Sequence, residues 1–424
     1  MKLVVHPSRL RGEICVPGSK SHTIRGIVAG LLAEGESVVR HPLQSADTLS
    51  VLQAASELGL GVQTSDQEWR FQGRGGAFRP ISQPLNLGNS GTGLCILAAV
   101  AATQSFPCHF DGDASLRSRS LQSELEALAV LGAEQASTAG KCPLMVRGPL
   151  IGGETFVDGS NSQYLTSLLF ASPLAARATD IRLRFLREKP YVEMTLAWLR
   201  RCGVEAVADD DFLHFHVPGQ QRYQAFSATI PADFSTAAFP LAAGLLAGDG
   251  VTMRNLDFDD VQGDKVIFDF AAAMGATMQR TSDGVLVNPP KDRLQGRLFD
   301  LNACPDTLPV MAVLGAYAQG ETVLTNVAQA RQKETDRIAC MARELTKMGG
   351  QVTERADGMV ITGGTLRGAE LSGCGDHRIV MALTVAALAA NGASVIDGAE
   401  VAAVTYPGFV EDFQRLGAVM EAMP

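Results

Sequence analysis

The feature that most constrains the fold of this 424-residue chain is a unit that recurs six times. In each copy an Ala- and Leu-rich helix runs into a turn of small residues, a short β-branched run, a loop and a second helix. The opening segments read IVAGLLAEGESVV, ILAAVAATQSFPC, LLFASPLAARATDIRL, FPLAAGLLAGDGVTM, AVLGAYAQGETVL and TVAALAANGASVI. Because helix and strand alternate, the repeat indicates βα-type subdomains packed around shared cores.

Each copy closes at a glycine, about 70 residues after the one before it. A glycine at this place is typical of a left-handed cap at a helix C-terminus. The six glycines are Gly59, Gly132, Gly203, Gly275, Gly349 and Gly417. Ala-rich helices that end at glycine are common, so accidental similarity is the alternative. We favour six subdomains in an α/β fold of two domains, with a ligand cleft between them.

Composition excludes several classes of function. The chain is 46% apolar, yet no apolar run approaches the roughly 18 residues of a membrane span. The net charge of −9 argues against a nucleic-acid partner or a membrane surface. The start MKLVVHPSRL has no apolar signal segment, so we expect a cytoplasmic protein. Eight scattered cysteines without ligand spacing predict reduced, mostly buried thiols and no metal site.

Several motifs place cations or glycines near predicted helix starts, where free N–H groups favour anions. They are PGSKSHTIR (17–25), NSGTG (89–93), DGDASLRSR (111–119), SNSQY (160–164), RQKETDR (331–337) and DHR (376–378). On a helix, Lys333 and Arg337 would be i,i+4 neighbours beside Glu334. Each motif alone also fits a capped helix or a solvated charged face. Together, in an acidic protein, they predict a site for small substrates with several negative charges.

Seven segments in this order, PGSKSHTIR, GNSGT, GDASLRSR, SQYLTSLL, KPYVEMTL, RQKETDR and GDHR, resemble the enolpyruvyl transferases over almost the whole chain. Within that family the likeness is greatest to the members that use shikimate 3-phosphate. The resemblance implies two domains of three βαβαββ subdomains each, in the inside-out α/β barrel arrangement of the family. It assigns residues 1–16 and 233–424 to the first domain and 17–232 to the second, with the active site in the cleft.

The resemblance also implies the reaction. The enolpyruvyl (1-carboxyvinyl) group of phosphoenolpyruvate would pass to the 5-hydroxyl of shikimate 3-phosphate by non-covalent addition and elimination, with release of phosphate. This is a step of the shikimate pathway to chorismate and the aromatic amino acids. No cofactor and no metal are implied, the partners are these small anions alone, and we expect a monomer.

Residue by residue, the resemblance implies three groups of site residues. The phosphoenolpyruvate contacts are Lys20, Gly91, Arg119, Gln163, Arg337 and Arg378. The acceptor contacts are Ser21, Arg25, Asn161, Ser162, Gln163, Asp306 and Lys333. The catalytic groups are Asp306 as base and either Lys20 or Glu334 as acid, because addition to an enol ether needs one of each.

Departures from the family pattern bear on the acceptor. Cys95 stands where Arg generally follows the GNSGT turn, Asn161 replaces one of two serines before Gln163, and Glu188 stands where Ser commonly holds the acceptor phosphate. A different alcohol acceptor is therefore the alternative function, and a non-catalytic anion-binding protein is a second one. The loop 111–119 lacks the reactive Cys usual in the relative that acts on UDP-N-acetylglucosamine, which argues against that reaction.

Overall fold

The computed structural model describes residues 1–423, which divide into two compact units. Unit 1 comprises Met1–Pro17 and the chain from Pro231 onward, and unit 2 is Gly18–Ile230. No helix within residues 1–423 combines the length and the apolar character that crossing a membrane requires.

Unit 2 contains seven α-helices and thirteen strands among its described elements. In chain order they are α1 (Lys20–Leu32), β3 (Ala33–Arg40), α2 (Ala46–Glu57), β4 (Gly61–Thr64), β5 (Glu68–Arg74), β6 (Leu85–Asn86), α3 (Gly91–Ala101), β7 (Cys108–Asp111), α4 (Ala114–Ser118), α5 (Gln122–Val130), β8 (Glu134–Thr138), β9 (Lys141–Arg147), β10 (Gly153–Phe156), α6 (Ser162–Ala171), β11 (Thr179–Arg182), α7 (Lys189–Arg201), β12 (Val207–Ala208), β13 (His214–Val217), β14 (Tyr223–Gln224) and β15 (Ser227–Thr229).

Unit 1 begins with two strands at the start of the chain and continues after unit 2. Its elements are β1 (Lys2–Val5), β2 (Leu10–Cys15), α8 (Phe234–Ala247), β16 (Gly248–Arg254), α9 (Val266–Ala273), β17 (Met278–Arg280), β18 (Gly284–Val287), β19 (Leu298–Asp300), α10 (Leu308–Tyr317), β20 (Glu321–Thr325), α11 (Arg337–Lys347), β21 (Gln351–Arg355), β22 (Gly358–Thr362), β23 (Glu370–Ser372), α12 (His377–Leu388), β24 (Ser394–Asp397), α13 (Phe409–Arg415) and β25 (Met420–Met423).

The strands form six sheets, three in each unit, and all six repeat one topology. A first strand pairs parallel with a second, the second pairs antiparallel with a third, and that strand pairs antiparallel with a fourth. The orders are β6-β7-β9-β8, β10-β11-β13-β12, β14-β3-β5-β4, β2-β16-β18-β17, β19-β20-β22-β21 and β23-β24-β1-β25, and β15 also pairs with β3. The predicted α/β fold of six repeated subdomains is confirmed.

The start of the chain explains why unit 1 is discontinuous. Strand β1 pairs antiparallel with β24, with Leu3 opposite Ile396, and so completes a sheet built from the last part of the chain. Strand β2 pairs parallel with β16. These long-range pairings bind the first fifteen residues to the later segment of unit 1.

Each unit has buried helices at its centre. In unit 1, α8, α10 and α12 pack against one another, and in unit 2, α3 packs against both α1 and α6. Every residue of α12 is buried, and after His377 and Arg378 the Ala- and Leu-rich repeat supplies the mostly apolar surface that this burial requires. The site residues described below lie mainly at the N-termini of these central helices.

The six closing glycines behave as the repeat predicts. All six have positive φ, from +71° at Gly203 to +112° at Gly59, which is the left-handed region that favours glycine. Each lies two residues beyond the last residue of its helix, as Gly349 does after α11. The helix caps were therefore predictable from local sequence.

One local prediction is wrong. Lys333 and Arg337 are not i,i+4 neighbours on a helix, because α11 begins only at Arg337 and Lys333 has ψ −149°. The physical reason is Asp336, whose Oδ1 accepts from the Ala339 N–H at 3.0 Å and caps the helix there. Segment 333–336 therefore lies outside the helix.

Candidate active site

Unit 1 holds a dense group of opposite charges, which we name the Arg337 cluster: Asp306, Glu334, Arg337, Asp376 and Arg378. The buried Arg337 side chain is 1% exposed. It donates to Asp306 Oδ1 at 2.6 Å, to Glu334 Oε2 at 2.6 Å and to Asp376 Oδ2 at 2.7 Å. Such charge-assisted bonds fix the planar guanidinium in one orientation.

A second cation joins through Asp306, which lies in the 3₁₀ turn before α10. Arg378 Nη2 lies 2.9 Å from Asp306 Oδ2, so this carboxylate bridges two guanidinium groups. Burial would raise the pKa of Asp306, but the charges of Arg378, Arg337 and Lys333 outweigh it and hold that pKa well below its ordinary value. Asp306 is therefore ionised at neutral pH.

Asp376 ties the cluster to helix α12. Its Oδ1 accepts from the Arg378 N–H at 2.8 Å as the helix N-cap, while Oδ2 binds Arg337. The side chain is 0% exposed, and burial raises its pKa although Arg337 opposes that shift. One carboxylate thus sets both the start of α12 and the position of Arg337.

In unit 2 a second group surrounds the glycine turn at the start of α3. A Cβ added to Gly91 would lie 2.9 Å from Arg119 Nη1 and 3.7 Å from Gln163 Oε1, so glycine leaves room for these groups. Gln163 Nε2 donates to Thr92 Oγ1 at 2.9 Å. Arg119 donates to the side-chain oxygen of Asn89. We name Asn89, Gly91, Thr92, Arg119 and Gln163 the glycine-turn cluster.

Lys20 begins helix α1 and pairs with a partner that the sequence analysis missed. Lys20 Nζ lies 3.1 Å from Asp47 Oδ2, and the two side chains are 15% and 4% exposed. Ser19 caps the helix by accepting from the His22 N–H. A cation held at a helix N-terminus adds to the positive potential of the helix dipole there.

Arg25 lies one turn further along α1 and is 2% exposed. It donates to Thr195 Oγ1 at 3.0 Å, to the Tyr191 carbonyl at 3.1 Å and to the Ser21 carbonyl at 3.1 Å. Burial lowers the pKa of Arg25 to about 10. It is still a cation at neutral pH, and these three partners are uncharged.

The start of α6 brings Asn161, Ser162 and Glu188 together. Asn161 caps α6 by accepting from the Gln163 N–H at 3.0 Å. Ser162 Oγ donates to Glu188 Oε2 at 2.7 Å, and Glu188 is 1% exposed with φ +57°. A protein carboxylate therefore occupies this helix N-terminus, where anions are favoured.

Cys95 is buried in α3, as expected, and lies beside a buried acid. Glu124 on α5 is 0% exposed, and its neighbours include Cys95 and Ser167. Burial raises the pKa of Glu124 well above its ordinary value, which favours the neutral acid over the carboxylate. The Cys95 thiol also contacts Gln163 Oε1 at 3.7 Å, which links this pair to the glycine-turn cluster.

The structure places every sequence-derived site residue in one of two sets. Unit 1 contributes Asp306, Lys333, Glu334, Arg337 and Arg378, and unit 2 contributes Lys20, Ser21, Arg25, Gly91, Arg119, Asn161, Ser162 and Gln163. The sequence analysis missed Asp47 and Glu124, which carry no local signal. It named Asp376 only as part of the DHR motif at a helix start and gave it no place among the binding or catalytic residues.

Cationic side chains at the starts of buried helices in both units are suited to binding small polyanionic molecules. The fold is similar to two solved structures. One is EPSP synthase from Acinetobacter baumannii, with TM-score 0.84, 26% identity and full coverage of both chains. The other is the enolpyruvyl transferase NikO from Streptomyces tendae, with TM-score 0.82 and 18% identity over 99% of this chain and 98% of that one, a likeness of fold alone.

Sequence comparison gives the family. Residues 4–413 match the family model of EPSP synthase (3-phosphoshikimate 1-carboxyvinyltransferase). A 3-phosphoshikimate 1-carboxyvinyltransferase from Acetivibrio thermocellus is 43% identical over 420 residues, 99% of each chain. The chain belongs to the EPSP synthase family.

Proposed function

We propose that this protein transfers the 1-carboxyvinyl group of phosphoenolpyruvate to the 5-hydroxyl of shikimate 3-phosphate and releases phosphate. The observation that carries the proposal is the Arg337 cluster, where two buried arginines share the ionised Asp306. Family membership over residues 4–413 supports the same reaction. We propose further that both units act on the same pair of substrates.

The cations fit the charges of phosphoenolpyruvate, which carries a carboxylate and a phosphate. We assign its binding to Lys20, Gly91, Arg119, Gln163, Arg337 and Arg378. Arg119 and Gln163 already lie next to the Gly91 backbone, so the glycine-turn cluster offers donors without a side chain in the way. Fixed donors of this kind stabilise negative charge that grows in the transition state.

Two proton transfers are needed for the addition step. Asp306 is ionised, so it can accept the proton of the attacking hydroxyl. We assign protonation of the methylene carbon to Lys20 or Glu334, each held by an opposite charge, Asp47 or Arg337. The arginines would then stabilise the tetrahedral intermediate and the departing phosphate.

We assign acceptor binding to Ser21, Arg25, Asn161, Ser162, Gln163, Asp306 and Lys333. Arg25 supports this role because it is a buried cation held by hydroxyl and carbonyl oxygens. An anionic acceptor would balance its charge. Glu188 opposes an acceptor phosphate next to Ser162, and its effect is tested below. We expect a cytoplasmic monomer, which size-exclusion chromatography with light scattering would check for oligomeric state.

Glu334→Gln tests the proposal. We expect phosphate release to fall by about 10²-fold or more, because a proton-transfer group is removed. Phosphoenolpyruvate affinity, measured by isothermal titration calorimetry, should change little. Glu354→Gln is the matched control, since Glu354 is 43% exposed and pairs with Arg331 in the same unit. A wild-type protein that binds phosphoenolpyruvate but releases no phosphate with shikimate 3-phosphate or with any other alcohol supplied would instead identify an anion-binding protein.

A further inference from the structure

Two cysteines outside the reaction just described lie side by side in unit 1. Cys340 is on the first turn of α11 and Cys374 is in the loop that leads into α12. Their side chains lie close together although 34 positions separate them in the sequence, because one arginine side chain contacts both sulfurs.

A single arginine nitrogen contacts both sulfur atoms. Arg343 Nη2 lies 2.9 Å from Cys374 Sγ and 3.7 Å from Cys340 Sγ. The Thr335 hydroxyl lies 3.4 Å from Cys340 Sγ. A guanidinium and a hydroxyl at this distance stabilise a thiolate over a thiol.

Solvent reaches the pair from the side of Arg343. The Arg343 side chain is 53% exposed, Cys374 is partly exposed, and Cys340 is 5% exposed. A small solute can therefore approach the two sulfurs, while a bulky reagent would meet Arg343 first.

The environment makes the two thiols unequal. Cys374, Thr335 and Arg343 lower the pKa of Cys340 to about 6 although burial opposes it. Cys340 and burial raise the pKa of Cys374. Together with the contacts to Arg343 and Thr335, this favours one thiolate beside one thiol, which is the arrangement of a nucleophile and its resolving partner.

We propose that Cys340 and Cys374 are a peroxide-sensitive thiol pair that closes into a disulfide and thereby lowers the activity of the Arg337 cluster. The Cys340 thiolate attacks hydrogen peroxide and becomes a sulfenic acid, with one molecule of water released after protonation. The Cys374 sulfur then attacks the sulfenic sulfur, the S–O bond breaks, and a second water leaves. Overall, two thiols are oxidised to one disulfide and the peroxide is reduced to two waters.

The position of the pair connects it to the active-site residues. Cys340 lies three residues after Arg337 on α11, and Cys374 lies two residues before Asp376. A disulfide requires the sulfurs to approach to about 2.05 Å, whereas both cysteines are free thiols in this structure. One of the two segments must therefore move, and both carry partners in the 2.7 Å contact between Arg337 and Asp376.

The chemical test needs no knowledge of the enzyme's reaction. The full-length protein is treated with stoichiometric hydrogen peroxide, free thiols are blocked with iodoacetamide, and tryptic peptides are analysed by mass spectrometry. We expect the peptides IACMAR (338–343) and GAELSGCGDHR (368–378) to appear linked, and dithiothreitol to separate them. Cys374→Ser should abolish the linked peptide and leave Cys340 oxidised to sulfenic or sulfinic acid.

The functional test rests on the proposed function. Phosphate release by the oxidised protein should fall by at least about tenfold, because small displacements of catalytic groups cost that much or more. Dithiothreitol should restore it for the wild type. Cys15→Ser, which removes an exposed cysteine elsewhere in unit 1, is the matched control and should behave like the wild type.

Two results would overturn the proposal. One is the absence of the linked peptide at a peroxide dose that oxidises Cys15 completely. The other is a loss of activity after peroxide treatment that is equal in the wild type and in the Cys340→Ser/Cys374→Ser double variant. That result would show that oxidation of other residues causes the loss. A reduced wild-type protein without turnover would count against the proposed reaction alone, because the linked peptide is measured independently.

Discussion

Arg337 and Asp376 form a fully buried ion pair, with Nε and Oδ2 2.7 Å apart and side-chain exposures of 1% and 0%. The pair joins the first residue of α11 to the N-cap of α12. It thereby fixes the direction in which Arg337 presents its remaining donors to Asp306 and Glu334. The buried pair sets the geometry of the Arg337 cluster.

Asp376→Asn should therefore destabilise unit 1 strongly. We expect a loss of about 3–5 kcal/mol in unfolding free energy, because Arg337 keeps a buried charge with one partner fewer. Equilibrium urea unfolding followed by circular dichroism measures this. Asp283→Asn is the control, since Asp283 pairs with Arg254 at 48% exposure and should cost below about 1 kcal/mol. Equal shifts in the two variants would contradict the prediction.

Asp306→Asn should give a stability difference that depends on pH. The pKa of Asp306 is lower in the folded protein than in the unfolded chain, so its ionised form stabilises the fold above the unfolded pKa of about 4. We expect a loss of about 2–4 kcal/mol at pH 6–7 that shrinks as the pH falls below about 4. Urea unfolding of both proteins between pH 3 and pH 7 would show it, and a pH-independent difference would refute it.

Glu124→Gln should have the opposite pH dependence. Burial raises the folded pKa of Glu124, so the wild type loses stability as pH rises above the unfolded value, by up to about 1.4 kcal/mol per pH unit. Glutamine mimics the neutral acid and removes that loss. The variant should therefore gain stability over the wild type between pH 5 and pH 8.

The matched control for that experiment is Glu126→Gln. Glu126 lies on the same helix, α5, is exposed, and accepts from the Gln122 side chain. The unfolding free energy of this variant should differ from that of the wild type by no more than about 0.5 kcal/mol at any pH in this range. If Glu124→Gln behaved in the same way, Glu124 would have to be ionised in the folded protein.

Glu188→Gln should improve the use of shikimate 3-phosphate. Glutamine can still accept from Ser162, but it removes a buried negative charge that would repel an acceptor phosphate at this helix start. We expect the KM for shikimate 3-phosphate to fall by about tenfold, equivalent to about 1.4 kcal/mol, with the KM for phosphoenolpyruvate unchanged.

Glu205→Gln controls for the change in net charge in that experiment, because Glu205 is an exposed residue of unit 2. It should leave both KM values unchanged. If Glu188→Gln also left the KM for shikimate 3-phosphate unchanged, the acceptor phosphate would not approach Glu188.

The fold was predictable because its signals are local and repeated. The helix caps at Gly59 and the five equivalent glycines could be predicted from the sequence alone. The apolar repeat likewise predicted the central helices. The placement of Lys333 was mispredicted because Asp336 competes as an N-cap, a choice that the charge pattern does not reveal.

The site was predictable in its residue types and only partly in its contacts. The sequence analysis grouped Arg337 with Glu334, which the structure bears out at 2.6 Å. It could not pair Arg25 with Thr195, 170 positions away, because the subdomain packing decides that contact. The catalytic and binding roles of these residues stay predictions.

Phosphate release from purified protein tests the central claim most directly. Phosphoenolpyruvate is supplied with shikimate 3-phosphate and, separately, with unphosphorylated shikimate. The proposed function predicts rapid release with the phosphorylated acceptor alone. No release with either acceptor, from protein that binds phosphoenolpyruvate, would contradict it and point to a different alcohol as the acceptor.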